Sequence, residues 1–204
     1  MQPLLRPTGF RSERLSYRAV DWKVDEAVFK RFFSDPQVLL GSMGSVCRPL
    51  DKKGLEDFRK FVEELQNGMS AMVCLQPSAD KPDEEGETIG WLGFTTGRYG
   101  GHHHRRGDFG LIMGSEHNGK GYATEAVEWL LEMAFVSFGL HRLEGDVYEW
   151  NAPALRVYEK CGFVIEGRRR QSMWQEGRFV DEFIIGMLQE DYRKAHPDKF
   201  ERMR

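Results

Sequence analysis

The sequence predicts a single mixed α/β domain. Stretches of helical apolar period are interleaved with short alternating or aliphatic runs. One such run, DFGLIM (108–113), leads straight into a glycine turn, GSEHNGKGYATEA (114–126), that opens a long amphipathic pattern. At 204 residues and 40% hydrophobic content, the chain suffices for one well-buried core and is short for two.

Residues 1–10 hold two prolines and a glycine and read as a loose lead-in. The domain proper is expected over 11–190, with a charged tail over 191–204. Leu15, Tyr17 and Ala19 alternate with polar neighbours, giving a first strand that ends near Trp22. Ala27, Val28, Phe29, Phe32 and Phe33 place a helix over 25–33 that Pro36 ends. Leu55, Phe58, Phe61, Val62 and Leu65 form one apolar face of a helix over 51–66, closed by Asn67 and Gly68. Strands follow at 70–76 and 88–96, flanking an acidic segment (77–87) expected as a mobile hairpin loop. The fourth strand is 108–113. From Tyr122, apolar residues recur at helical spacing to Phe138, and Gly139 stops them. A strand (143–148), a helix (152–160), a strand (163–168) and a last strand (179–188) complete the order β-αα-βββ-α-β-α-ββ. The residues after Glu190 read as a frayed helix.

A net charge of −3 excludes an overall basic field for nucleic acid. The runs Arg105-Arg106 and Arg168 to Arg170 read as solvated strand ends. Cys47, Cys74 and Cys161 are odd in number and sit in apolar contexts, as reduced core thiols do. No run has signal-peptide character and no window holds 18 uninterrupted apolar residues, so a cytoplasmic protein without membrane partners is expected. Of His102, His103 and His104, at most two could converge on an ion, so a solvated loop and no metal are expected. Oligomeric state, monomer or homodimer, stays open.

The glycine loop fits a phosphate-binding Walker A pattern except at its last place, where Gly121 replaces the hydroxyl residue that would ligate Mg²⁺. Three readings remain: a nucleotide-dependent P-loop enzyme, a plain helix start, or a metal-free pyrophosphate cradle built from backbone amides and a helix N-terminus. The stretch NGKGYATEA resembles the Gln/Arg-x-x-Gly-x-Gly/Ala signature of the GNAT family of N-acetyltransferases, with Asn118, Gly121 and Ala123 on its positions. Its wording is most like the branch of ribosomal-protein N-terminal and spermidine acetyltransferases. Asn118 departs from the usual Gln or Arg, which touches one side-chain contact and leaves the backbone cradle. A second stretch, NAPALRVYEKCGF (151–163), resembles the family's Asn-x-x-Ala/Ser-x-x-x-Tyr-x-x-x-Gly-Phe. Asn151 is a credible N-cap there and Gly162 a credible C-cap.

The resemblance spans roughly residues 10–190. It implies a mixed, twisted sheet, flanked by helices, whose fourth and fifth strands splay to admit the pantetheine arm of acetyl-CoA. Backbone groups of Leu111, Ile112 and Met113 would pair with that arm, and an amide there would stabilise a developing oxyanion. Asn118, Gly119, Lys120, Gly121, Tyr122, Ala123 and Thr124 would hold the pyrophosphate, with Asn151 and Tyr158 completing the cofactor site. Tyr158 would protonate the leaving thiolate. Asp146 or Asp108 would serve as base, directly or through water.

The acceptor implied is a primary amine, attacked directly in a ternary complex. An α-amine of pKa about 7.7–8.0 is appreciably neutral at pH 7.4, whereas an amine near about 10.4 is neutral only at the ~10⁻³ level, which favours a protein N-terminus over a polyamine or other small amine. Glu144, Glu149, Asp181 and Glu182 are read as solvated acids that could equally attract a polyamine. Trp91 is expected in the core, Trp150 near the acceptor, and Cys161 as a packing residue. A non-catalytic acetyl-CoA-binding module is the alternative from another class.

Overall fold

The computed structural model describes residues 10–42, 48–65, 68–77, 86–96 and 102–201. Expectations for the lead-in up to residue 9, for Cys47, for Asn67 and for most of the acidic loop (78–85) lie outside them.

β1 (Leu15–Arg18) is shorter than its alternation predicts, because Asp21 accepts a hydrogen bond from the Lys23 amide and starts α1 (Trp22–Ser34) at Trp22. Pro36 does not merely end α1. It opens a further helix, α2 (Pro36–Ser42), where its missing N–H costs nothing in the first turn. α3 (Lys52–Glu63) is capped by Asp51, which accepts from the Gly54 amide at 2.8 Å. β2 (Met69–Leu75), β3 (Thr88–Thr95) and β4 (Arg106–Met113) form an antiparallel meander. α4 (Tyr122–Glu132) runs on through a π turn over Met133–Ser137. Then come β5 (Arg142–Tyr148), α5 (Ala152–Lys160), β6 (Val164–Gln175), β7 (Arg178–Leu188), α6 (Gln189–Ala195) and α7 (Pro197–Glu201).

The seven strands lie in one mixed sheet in the order β1-β2-β3-β4-β5-β7-β6. β7, last in sequence, sits between β5 and β6 and pairs antiparallel with both. Arg168 to Arg170 therefore lie within the long strand β6, not at a strand end. The final segment is not frayed: Tyr192 on α6 is 2% exposed and packs its ring 5.3 Å from Phe135.

Strand alternation divides the core between the two sheet faces. Along β2, Ala71 and Val73 join Val127, Leu130 and Phe135 of the α4 segment. Met72 and Cys74 join Phe29, Phe33 and Phe58 of α1 and α3, together with Trp91. Cys74 and Cys161 are both buried. No helix among the described residues is long and apolar enough to cross a membrane.

One buried charge holds β1 to α1. Asp25 is fully buried and accepts from both terminal nitrogens of Arg18, at 2.7 and 2.8 Å, and from the Asp21 amide at 2.8 Å. Removing one partner of such a pair strands the other, less severely here because a quarter of the Arg18 side chain reaches solvent. Asp25→Ala is expected to lower the stability of the chain by about 2–4 kcal/mol in urea unfolding. A loss below about 1 kcal/mol would remove Asp25 from the account.

Candidate active site

The site begins where β4 ends. Beyond Met113, a 3₁₀ turn (Ser115–His117) leads to Asn118 and a loop that takes positive φ twice, +75° at Gly119 and +83° at Gly121. Side chains other than glycine are strained in that region, so this path needs glycine at both places. Gly121 is the residue before α4, and no side chain caps the helix. The amides of its first turn thus face outward with the positive end of the helix dipole behind them, an arrangement that takes an anion.

A clasp from the start of the chain fixes this loop. Arg14 donates from Nη1 to the Lys120 carbonyl and from Nε to Glu125 Oε2, both at 2.8 Å. Its guanidinium also lies over the Tyr122 ring. Glu125 accepts in addition from the Ser12 hydroxyl and the Arg14 amide, each at 2.6 Å. Partial burial works to raise the Glu125 carboxyl, but the hydrogen bonds from Ser12 and Arg14 outweigh it and hold the group below the usual carboxylate range.

The second feature is a wedge between β4 and β5. These strands run parallel and pair only from Arg106 with Arg142 to Asp108 with Glu144. Beyond that, β4 keeps β3 as its strand partner, and β5 keeps β7. The Phe109 ring fills the closed end. It lies over Gly145, where any Cβ would come within 2.9 Å of it, and meets Tyr158 edge-on at 5.1 Å. Burial pushes the Tyr158 phenol well above its ordinary pKa, so the hydroxyl stays protonated.

Loop and wedge open into one cavity of about 800 Å³. Every residue expected to bind the cofactor borders it except Lys120, whose carbonyl is taken by Arg14. Among the described residues, no carboxylate borders it. Neither Asp146 nor Asp108 does. Asp146 lies on the strand face opposite Gly145 and Val147 and pairs with Arg169 at 2.8 Å. Asp108 sits at the closed end of the wedge, between Thr95 and Glu144.

The other acids are not solvated as expected. Glu144 is 4% exposed and held by Arg106 and Arg142, while Asp181 is 5% exposed and paired with Arg168. Glu182 pairs with Arg169, and Glu149 accepts from the Asp181 amide.

Trp91 is buried in the core as expected. Trp150 borders the cavity, donates from Nε1 to the Leu40 carbonyl at 2.7 Å and stacks on Tyr148. Asn151 caps α5 by accepting from the Ala154 amide and donates to the Gly41 carbonyl. Together they moor α2 against the mouth of the wedge. The lining also carries two cations that neither motif marks, Arg156 and Lys160 on α5. Their four-residue spacing on one helix face was the available signal. They place two cations on the cavity wall and suit an anionic ligand. The donor set thus fits the phosphates of acetyl-CoA without a metal: uncapped amides, two cations and a glycine cradle.

A family model described as an acetyltransferase (GNAT) domain matches residues 14–164. The chain is 27% identical over 186 residues to an uncharacterized N-acetyltransferase, p20, of Bacillus licheniformis, covering 89% of this chain and 96% of that protein. It is 35% identical over 89 residues to a spermidine N(1)-acetyltransferase of Vibrio cholerae, an alignment spanning 44% of this chain and about half, 51%, of that relative. The fold superposes on a crystal structure of a Vibrio cholerae spermidine N-acetyltransferase in complex with CoA and spermine, with a TM-score of 0.71 at 24% identity, covering 88% of this chain and 98% of that one.

Proposed function

The chain belongs to the GNAT acetyltransferase family, and on that premise we propose that it transfers acetyl from acetyl-CoA to a primary amine by direct attack in a ternary complex. One observation carries the reading: the uncapped N-terminus of α4, reached through two left-handed glycines, shares a cavity with the free side of β4 and the Tyr158 ring. The first-turn amides of α4 would hold the diphosphate, with Arg156 and Lys160 adding charge. Beyond Asp108, the β4 side that faces the wedge offers main-chain groups at Leu111–Met113 to an extended arm, as a further strand would. When bound, acetyl-CoA supplies the activated acyl group.

In the transfer, a nitrogen–carbon bond forms, the carbon–sulfur bond breaks, and Tyr158 donates its proton to the departing sulfur. The amine must arrive neutral, and no carboxylate among the described residues borders the cavity to make it so. This supports an acceptor that is appreciably neutral in solution, a peptide α-amine, for which the neutral fraction near pH 7.4 is about two orders of magnitude above that of a lysine-like amine. The proton lost on attack then leaves through water.

The likeness to a spermidine N(1)-acetyltransferase supports a second acceptor, a polyamine. Of the acids that would draw a polycation, Glu144, Asp181 and Glu182 are paired with arginines, which weighs against it.

The test is acetyl-CoA turnover by the purified chain with peptides of free N-terminus, spermidine and small amines. The expected result is metal-independent turnover with peptide kcat/KM above that of spermidine. Higher spermidine turnover would select the second reading. Acetyl-CoA binding without turnover of any amine would make the protein a non-catalytic binder, and ATP binding that requires Mg²⁺ would overturn the whole assignment.

A further inference from the structure

We propose that Glu87, Glu116 and His117 form a binding site for one divalent transition-metal ion of the zinc class, at the edge of the cofactor cavity, which His117 borders. The His117 side chain is 7% exposed, and neither ring nitrogen has a hydrogen-bond partner. Burying an imidazole without satisfying it is unfavourable, so the arrangement asks for a ligand. Nε2 points toward two carboxylates, 3.4 Å from Glu87 Oε1 and 3.7 Å from Glu116 Oε1, in neither case with hydrogen-bond alignment.

The three donor atoms lie within 4.8 Å of one another. Donors about 2.0–2.2 Å from a shared tetrahedral ion stand roughly 3.3–3.6 Å apart, so the present spacing needs only small side-chain adjustment to close on one. One imidazole and two carboxylates suit zinc, cobalt or manganese. Magnesium and calcium prefer oxygen alone. Both carboxylates are about half exposed, which gives the ion a path in and leaves a coordination place for water.

The position gives the site a use. Glu87 stands just before β3, its carbonyl already bonded to the Leu75 amide, so it belongs to the rigid meander. Glu116 and His117 lie on the turn that leads into Asn118, Gly119 and Gly121. An ion shared between them would brace the cofactor loop against the sheet.

The experiment uses the full chain, stripped of metal, with His102, His103 and His104 replaced by Ala to remove a competing imidazole cluster. Zn²⁺ is titrated by calorimetry, and Co²⁺ by visible absorption. One Zn²⁺ per chain, ligand-field bands with Co²⁺ and slower amide exchange over residues 115–121 are expected. Glu87→Gln with Glu116→Gln is expected to weaken Zn²⁺ binding at least about tenfold. Equal Zn²⁺ affinity in that double variant, or no stoichiometric binding in the parent, would overturn the proposal.

Discussion

Tyr158→Phe is expected to lower kcat at least about tenfold with little change in acetyl-CoA affinity. The ring contributes packing: it meets Phe109 at 5.1 Å and Phe163 at 5.8 Å, and phenylalanine preserves both contacts. What is lost is the hydroxyl. Its burial raises the phenol pKa, so at any working pH below about 10 the group carries the proton that a departing thiolate needs. A positioned general acid is worth about 10²–10⁴ in rate, and water entering the wedge can recover part of that, so tenfold is the lower bound. The raised pKa fixes a sign as well. The rate should climb with pH as the acceptor amine loses its proton, and Tyr158 should impose no falling limb below about pH 10. Steady-state kinetics across pH and cofactor binding by calorimetry check both parts. An unchanged kcat would take Tyr158 out of the chemistry.

Gly121→Val is expected to weaken acetyl-CoA binding at least about tenfold. The residue holds φ at +83°, where a β-branched side chain is a true outlier costing about 1–3 kcal/mol. A Cβ there would also stand 3.2 Å from Arg14 Nη2, inside the clasp that holds the loop. The loop can relieve both only by turning, and turning re-aims the first amides of α4. Gly139 supplies the control. It has φ of +64°, open space around it and no place on the cavity wall, so Gly139→Val carries a similar backbone cost. It should lower the melting temperature and leave cofactor affinity alone. Equal affinity losses in the two variants would mean that the loop geometry is not what binds.

How much of this could be read beforehand followed from how local the cause was. The helix over 152–160 was placed residue for residue because its start and stop are written beside it, in Asn151 and Gly162. The glycine loop was legible for the same reason. The start of α1 was missed because the alternation of Leu15, Tyr17 and Ala19 continues into residues that Asp21 recruits to a helix. Pro36 was read as a stop although the same ring also suits a beginning. The placement of β7 inside the sheet, and the pairing of Glu144 and Asp181, expected as solvated acids, and of Asp146, expected as a candidate base, with arginines, depend on residues far apart in the chain. Arg156 and Lys160 were visible as letters, but only the approach of α5 to the α4 terminus makes them a wall of the cavity.

The narrow join between β4 and β5 makes the sheet two leaves bound along a short spine. Three residue pairs join them directly, backed by the carboxylate of Glu144, gripped from either side by Arg106 and Arg142. A guest lying along the gap would supply the rungs that evolution left out, so the strength with which it docks and the cohesion of the two leaves become a single quantity. Such a sheet would be completed by its own substrate.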